Sequence, residues 1–176
     1  RSQGRLIYED VDRTLASGEG PFAELLGGLQ QVAVARFEAR TRNGAITLLN
    51  PEVEVTLDAE GVPRLNSIPA NSDARRLVSE ATIWTGEVAA RFCIREDLPA
   101  LYRVQEIPEE LPELPAGGVT DPVMINNVRR RMRRAETRLQ PAAHRALGLP
   151  AYTQVSSPLR RYQDLAVHRQ IISSLG

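Results

Sequence analysis

Residues 151–165 read AYTQVSSPLRRYQDL, and this stretch holds the most informative pattern in the chain. Ser157 followed by Pro158 predicts the start of a helix, because serine caps free backbone N–H groups and proline fits the first helical position. Arg160 and Arg161 follow within the next turn. Free N–H groups, the positive end of a helix dipole, a hydroxyl and arginine together favour phosphate binding. The stretch therefore predicts a site for a phosphate group.

Asp164 follows Arg160 by four residues, and His168 follows Asp164 by four, so a helix would place all three on one face. We expect Asp164 to hold the Arg160 guanidinium in a fixed orientation. An arginine and an acid at this spacing are also frequent on ordinary helix surfaces, where such a pair contributes ~0.3–0.5 kcal/mol. From these residues alone, both interpretations stay open.

The segment 129–169 is basic, with Glu136 and Asp164 as its only acids. The whole chain has 22 basic and 22 acidic residues, so a phosphate-binding surface has to come from local clustering. The five arginines between positions 129 and 134 fit a binding helix or, alternatively, an ordinary solvated face. His144 and His168 have no cysteine near them in sequence and are interpreted, on this basis alone, as hydrogen-bonded structural residues rather than metal ligands.

The composition is that of one globular unit, with 42% hydrophobic and 25% charged residues among 176. The chain contains no lysine, so its cations are planar guanidinium groups that bind phosphate with two prongs. The single cysteine, Cys93, excludes an internal disulfide and fits a reducing compartment. No apolar run reaches the ~20 residues of a membrane span, and no signal peptide is evident. We expect a cytoplasmic protein without a membrane partner.

Hydrophobic periodicity and capping residues predict an α+β fold in which helices pack around a small, mostly antiparallel sheet. The predicted helices cover residues 10–16, 22–42, 73–94, 121–139 and a last stretch from Ser157. The predicted strands cover residues 45–49, 53–57 and 65–68. The helix over 73–94 should face the core with an apolar stripe formed by Leu77, Ala81, Trp84, Val88 and Phe92. The Pro- and Glu-rich stretch 106–118 predicts an irregular surface connection.

The stretch 151–169 resembles the signature near the end of the ribonuclease II-type (RNB) catalytic domain, Y-T-H-F-T-S-P-I-R-R-Y-x-D-L-x-V-H-R. Further resemblances follow in the family's order, among them a segment with an active-site tyrosine, an L-V-E-E helix, an L-Y-R-V-H strand, an R-S-M-x-x-A stretch and a G-H-F-G-L stretch. They lie at residues 5–11, 77–80, 101–104, 130–135 and 144–149. The resemblance covers nearly the whole chain and implies the RNB fold.

The resemblance implies a hydrolase that degrades single-stranded RNA from the 3′ end, one nucleotide at a time, to 5′-monophosphates with Mg²⁺. Arg160 matches the family's catalytic arginine, which is expected to stabilise charge that develops on the scissile phosphate. Tyr8 matches a tyrosine that positions the terminal nucleotides, and Glu80 matches an acid that contacts sugar hydroxyls. Further RNA-binding residues expected from the match are Leu48, Tyr152, Ser157, Arg161, His144, His168, Arg169 and Arg130.

The family's metal-binding Asp cluster, D-x-x-x-x-x-D-x-D-D, lies upstream of all these segments and has no counterpart in the 176 residues. Glu9, Asp10 and Asp12 do not replace it, because on a helix their carboxylates fan out. We therefore expect residues 1–176 to be one segment, the C-terminal part of an RNB catalytic domain, with the Mg²⁺ ligands upstream. This segment alone should be inactive. Flanking RNA-binding modules in the full chain are compatible with the family.

Five positions depart from the family pattern. Leu48 stands in place of a phenylalanine that stacks on the last bases, which predicts a weaker aromatic clamp. Gln105 and Gln154 replace histidines, Gly86 replaces an asparagine and Thr137 replaces a tyrosine. These changes affect substrate contacts more than the fold. They leave open an alternative, a degenerate RNB domain that binds RNA or a protein partner without cleavage.

Overall fold

The computed structural model describes residues 4–50, 52–68, 72–107, 111–115 and 117–176. Within these ranges, five α-helices, four short strands and a 3₁₀ turn over Arg145–Leu147 form the regular structure. In chain order they are α1 (Tyr8–Ser17), α2 (Ala23–Arg42), β1 (Glu52–Leu57), β2 (Pro63–Ile68), α3 (Asp73–Arg95), β3 (Tyr102–Val104), α4 (Pro122–Arg131), β4 (Glu136–Arg138) and α5 (Tyr162–Leu175). The predicted α+β class is confirmed.

The first three helices form a connected group. α1 ends at Ser17 and is capped by Gly18, whose φ of 69° is a left-handed conformation that glycine adopts without a Cβ clash. Asp12 in α1 caps the start of α3, because its carboxylate accepts hydrogen bonds from the Ser72 hydroxyl (2.6 Å) and the Ala74 N–H (2.8 Å). The first two helices predicted from the sequence are confirmed with small changes in their bounds.

The orientation predicted for α3 is wrong, although its existence and length are right. In the expected core-facing stripe, Trp84 is 44% exposed and Val88 is 52% exposed. The buried face instead carries small residues, such as Ala90 and Cys93, together with the carboxylates of Glu80 and Glu87. Arginines of α2 neutralise both carboxylates, so this polar face can be buried against α2. A hydrophobic stripe alone does not reveal such a pairing.

The strands form two separate two-stranded sheets instead of the single sheet that was predicted. β1 pairs antiparallel with β2, with Leu57 opposite Pro63, and the apolar side chains of Val53, Val55 and Leu65 are exposed. The predicted strand over residues 45–49 is only a bridge between Leu48 and Val119. Of the predicted surface connection, residues 108–110 and 116 lie outside the described residues, and the described remainder contains no helix or strand.

The second sheet explains why α4 is shorter than predicted. Asp121 caps α4 through the N–H groups of Val123 (3.4 Å) and Met124 (2.9 Å), as expected, but the helix ends at Arg131. Residues 136–138, predicted as helix, form β4 and pair antiparallel with β3. Backbone hydrogen bonds to β3 therefore override the local helical pattern.

The hydrophobic core joins α3, β3 and α5. Its buried members are Ala89, Ala90, Cys93, Ala100, Tyr102, Val104, Ala151, Val155 and Val167. Cys93 is fully buried, as predicted for a small core residue. The residues just before α5, which include the sequence motif described above, are therefore anchored to the core on the side of β3.

Candidate RNA-binding and catalytic site

The predicted phosphate site lies in a turn and not inside a helix. α5 begins at Tyr162, and before it the Ser157 carbonyl accepts hydrogen bonds from the N–H groups of Arg160 (3.2 Å) and Arg161 (3.0 Å). The prediction that a helix starts at Ser157 is wrong. The cause is Asp164, whose carboxylate accepts a hydrogen bond from the Ser157 N–H (2.8 Å) and holds the chain in a turn ahead of the helix.

Asp164 pairs with Arg161 and not, as predicted, with Arg160. Arg161 donates from Nε to Oδ1 (2.8 Å) and from Nη2 to Oδ2 (2.7 Å), which is a two-pronged pair. Burial raises the pKa of Asp164, but hydrogen bonds from Arg161 and from the Ser157 N–H outweigh burial and hold this pKa below its usual value. The predicted spacing does not apply, because Arg160 precedes the first turn of α5.

Arg160 is exposed in this turn, next to the fully exposed Leu159. Within the described ranges, its guanidinium makes no ion pair, since Arg161 and the Ser157 N–H occupy the Asp164 carboxylate. Arg130 and Arg169, two other predicted RNA contacts, are exposed as well. The turn thus presents the positive charge of Arg160 to solvent while the neighbouring Arg161 is neutralised.

Tyr152, Arg103 and His144 form a polar cluster beside this turn, called the Tyr152 cluster below. The Tyr152 backbone carbonyl accepts a hydrogen bond from the Arg103 N–H (2.8 Å), and the Tyr152 ring meets the His144 ring edge-to-face, with 5.6 Å between centroids. Burial raises the pKa of Tyr152, whereas nearby guanidinium groups act against this increase. These groups belong to Arg161, Arg103 and Arg40. Tyr152 therefore lies near three guanidinium groups, while the carboxylate of Asp164 acts on its pKa in the opposite direction.

His144 and His168 occupy different environments. His144 is buried, its Nδ1 has no hydrogen-bond partner among the described residues, and burial lowers its pKa from 6.5 to about 4. Its ring is consequently neutral at pH 7. His168 Nε2 lies 2.6 Å from the Val155 carbonyl oxygen and ties α5 to the preceding segment. The observed contacts are structural, and the RNA-binding roles of both residues stay predictions.

Gly86 allows α3 to approach Tyr152 closely. A Cβ at this position would collide with the Tyr152 ring and with the Thr153 carbonyl oxygen. The Gly86 carbonyl accepts a hydrogen bond from the Thr153 N–H (3.3 Å). In the sequence Gly86 was only a departure from a family asparagine. The structure shows that this departure brings the helix backbone against the motif.

Glu80, predicted to contact sugar hydroxyls, is buried in the interface between α2 and α3. Arg40 donates to both carboxylate oxygens, with 3.0 Å from Nε to Oε2, and also to the Leu147 carbonyl (3.0 Å). Glu80 retains only 3% exposure. This geometry gives Glu80 a structural partner, and its contact with RNA sugars stays a prediction.

Tyr8 and Leu48 take no part in the Tyr152 cluster among the described residues. Tyr8 is the first residue of α1, and the Arg75 guanidinium carbon lies 4.8 Å from its ring centroid. Leu48 is half-buried beside Val119. Across the described residues, neither makes a hydrogen bond or ring contact with the cluster. Their roles toward RNA stay predictions.

The described residues do not fit a Mg²⁺ ion. In the ranges that the structure describes, no three His, Cys, Asp or Glu side chains come together in a way that would hold a metal. Asp10 pairs with Arg13 (2.9 Å), while Asp12 caps α3, so these two acids have separate partners. The buried carboxylates of Glu80, Glu87 and Asp164 each form an ion pair with an arginine.

Several residues of the site were not singled out from the sequence. Arg40 has no local signal of burial, because the arginine two residues later in the last turn of α2, Arg42, is exposed. Arg103 belongs to a recognised strand motif, but only the β3–β4 pairing shows that its guanidinium donates to Thr137 Oγ1 (2.9 Å). Gln105 Nε2 donates to the Arg133 carbonyl (2.7 Å), so this replacement of a family histidine has a structural use.

The chain belongs to the RNB domain family. The model of the RNB domain matches residues 1–114 and 111–176, which together span all 176 residues. This family match agrees with the motif that leads into α5 and with the order of the motifs upstream of it. In the described part of the chain, no helix is long and apolar enough to cross a membrane.

Three curated relatives are ribonucleases by name. The chain is 40% identical over 175 residues to the uncharacterized ribonuclease sll1290 of Synechocystis, with 95% of this chain and 25% of the relative covered. It is 35% identical over 177 residues to the chloroplastic/mitochondrial ribonuclease II of Arabidopsis thaliana, covering 94% and 21%. Ribonuclease R of Thermotoga maritima is 32% identical over 212 residues, covering 96% and 29%. The chain spans less than a third of each relative.

Solved structures show the same fold at low identity. Mycoplasma genitalium RNase R in complex with ribose methylated single-stranded RNA superposes with a TM-score of 0.74 and 20% identity, covering 93% of this chain and 31% of that protein. The Dss1 exoribonuclease of Candida glabrata has a TM-score of 0.79 and 21% identity, covering 98% and 24%. The RNB-type fold expected from the sequence is confirmed.

Proposed function

We propose that this chain is the part of a 3′ to 5′ exoribonuclease that contacts single-stranded RNA and supplies a catalytic arginine, Arg160. The full protein would release 5′-nucleoside monophosphates. The relatives named ribonuclease II and ribonuclease R support this activity at the level of the family. The catalytic role of Arg160 rests on one observation. Its guanidinium is exposed and has no ion pair among the described residues, whereas the neighbouring Arg161 is paired with Asp164.

Arg160 acts through charge and geometry in this proposal. The charge on the oxygens of a transferring phosphoryl group increases toward the transition state, and a guanidinium fork stabilises such oxygens with two hydrogen bonds. Asp164 contributes indirectly, because it fixes the turn through the Ser157 N–H and occupies Arg161. Arg160 is therefore left free to bind the anion, and the substrate would need no displacement of an existing ion pair.

We propose that Mg²⁺ ligands lie elsewhere in the full protein, since the described residues do not fit the ion. The full protein is also proposed to be cytoplasmic and to carry further RNA-binding modules. This chain covers only a small share of each relative, so the full protein would have enough further length for the Mg²⁺ ligands and for these modules. The 176-residue chain by itself would then bind RNA without cleaving it.

The test uses the full-length protein, a 3′-accessible single-stranded RNA and added Mg²⁺. Arg160→Ala should lower the single-turnover rate by ~10² to 10³-fold while changing RNA affinity little, because the lost interaction is made in the transition state. Arg160→Lys should restore only part of the rate, since an ammonium lacks the fork geometry. Arg95→Ala is a matched control, because Arg95 pairs with Glu96 on the exposed end of α3.

A loss of affinity with an unchanged cleavage rate in Arg160→Ala would make Arg160 a binding residue only. The second candidate function is RNA or protein binding without cleavage, and the substitutions at Leu48, Gln105 and Gln154 favour it. One structural neighbour with a TM-score of 0.63 and 21% identity is yeast Ssd1, a pseudonuclease. Wild-type protein that binds RNA but releases no monophosphates with Mg²⁺ would establish this second function.

A further inference from the structure

Arg103 lies in the middle of β3, directly beside the motif that leads to Arg160. Its N–H donates to the Tyr152 carbonyl (2.8 Å), and its Cα partner across the sheet is Thr137 in β4. The backbone of Arg103 is therefore fixed from both sides, by the motif and by β4. A side chain on such a rigid element is well placed to bind a ligand with defined geometry.

The guanidinium of Arg103 is held by a hydroxyl. Nη1 donates to Thr137 Oγ1 (2.9 Å), and this hydroxyl has Gln163 Oε1 as its own acceptor at 3.5 Å. Because a hydroxyl has a single proton, donation toward Gln163 leaves its lone pairs for Arg103. Gln163 belongs to the first turn of α5, three residues after Arg160. The contacts connect Arg103 to the segment that presents Arg160.

The charge of Arg103 is not neutralised. Of the three guanidinium groups around Tyr152, Arg40 is paired with Glu80 and Arg161 with Asp164. Among the described residues, no carboxylate pairs with Arg103, whose guanidinium donates instead to the neutral hydroxyl of Thr137. A neutral hydroxyl orients the guanidinium without cancelling its charge, and the remaining N–H groups are available to an anion.

We propose that Arg103 binds a phosphodiester group of the RNA strand other than the scissile one, with Thr137 as its positioning residue. This inference rests on the proposed function, which assigns the scissile phosphate to Arg160. Thr137 stands where the family pattern has a tyrosine, and its short hydroxyl reaches both Arg103 and Gln163. Arg103 thus adds an oriented phosphate contact to a chain whose net charge is zero.

The experiment measures the dissociation constant of full-length protein for a fluorescently labelled single-stranded RNA, without Mg²⁺ to prevent cleavage, over a range of salt concentrations. Arg103→Gln should weaken binding by about tenfold, because a charged hydrogen bond is lost. It should also lower the salt slope of log Kd by about 0.7, as one phosphate contact of a single strand disappears. Arg138→Gln is the control, because Arg138 lies on β4 but is paired with Glu136.

Two further variants separate the charge from its orientation. Arg103→Lys should keep the salt slope but weaken binding, since the cation remains and its fork is lost. Thr137→Val has nearly the same shape and should also keep the slope while weakening binding a few-fold. Equal affinities and slopes for Arg103→Gln and Arg138→Gln, or a full wild-type affinity in both Arg103→Lys and Thr137→Val, would overturn the inference. Wild-type protein that fails to bind RNA would instead reject the proposed function itself.

Discussion

The arginines between α2 and α3 and those around the turn before α5 are the same residue type in opposite electrostatic situations. In the helix interface, Arg36 and Arg40 are paired with the buried carboxylates of Glu87 and Glu80. Around the turn, Arg103 and Arg160 have no carboxylate partner among the described residues. The first group stabilises the packing of two helices. The second group leaves its positive charge available to an anion.

This difference explains how a chain without net charge can offer a phosphate-binding surface. The 22 acidic residues are not spread evenly over the 22 arginines. Some of the acidic residues pair with arginines of the helix interface, whereas the segment 129–169 contains only two acidic residues, Glu136 and Asp164. Asp164 is itself fully used by Arg161 and by the Ser157 N–H. The pairing pattern, and not the total charge, predicts which arginines meet RNA.

The largest effect on stability is expected from breaking the pair in the helix interface. Glu80→Gln removes the negative charge but leaves the Arg40 guanidinium buried, which should lower the free energy of unfolding by about 3–5 kcal/mol. Denaturant unfolding of the full-length protein measures this loss. Glu38→Gln is the matched control, because Glu38 is exposed and lies 3.9 Å from Arg42 at helical spacing.

The same variant also tests the contact with sugar hydroxyls predicted for Glu80. A structural role predicts that Glu80→Gln loses stability while RNA affinity, measured under conditions where the variant is folded, stays near that of the wild type. Unchanged stability together with a loss of preference for RNA over DNA would reverse this interpretation. The helix interface would then take part in binding, and the contrast between the two groups of arginines would fail.

The sequence predicted those parts of the molecule that depend on local signals. Asp121 and Pro122 start α4 where capping rules place it, and the β1–β2 hairpin follows its alternating pattern. Ser157 and Pro158 show the same local signal, yet α5 starts only at Tyr162, because the Asp164 carboxylate reaches back to the Ser157 N–H. A hydrogen bond to a side chain seven residues further along the chain is not visible in a capping pattern.

The site was predictable as a motif but not as a geometry. Arg160, Tyr152 and His144 were identified through a family pattern, whereas their partners depend on which strands and helices meet. The buried pair of Arg40 and Glu80 joins positions 40 residues apart. Two polar residues at such a separation give no periodic signal, so their contact appears only once α2 and α3 are packed together.

A smaller effect, reaching about 3 kcal/mol only near pH 4, is expected from the buried neutral imidazole of His144, because burial lowers its pKa from 6.5 to about 4. The unfolded chain binds a proton near pH 6.5 that the folded chain accepts only near pH 4. His144 therefore costs the folded state no stability above pH 6.5, and the loss of stability grows as the pH falls from 6.5 toward 4. Unfolding free energies measured at pH 7, 6 and 5 should decrease accordingly.

His144→Gln is the comparison for this pH dependence, because glutamine does not titrate and retains polar atoms. Its free energy of unfolding should fall less between pH 7 and pH 5 than that of the wild type. If the unfolding free energies of the wild type and His144→Gln changed equally with pH, the His144 ring would accept a proton in the folded protein. The site would then tolerate more positive charge beside Arg103 than the structure indicates.

The smallest effect is expected at Arg133, an exposed arginine in the segment that follows α4. Its backbone carbonyl accepts a hydrogen bond from Gln105, but its side chain is not tied to the Tyr152 cluster by any bond among the described residues. If Arg133 meets a phosphate, Arg133→Ala should lower the salt slope of RNA binding by about 0.7. The turnover rate at saturating RNA should remain nearly that of the wild type, because the contact is equally strong in the ground and transition states. Single-turnover rates and dissociation constants for Arg133→Ala and Arg160→Ala separate the two roles. If Arg133→Ala lowered the rate as much as Arg160→Ala does, exposure and the lack of a carboxylate partner would not distinguish a catalytic arginine from a binding one.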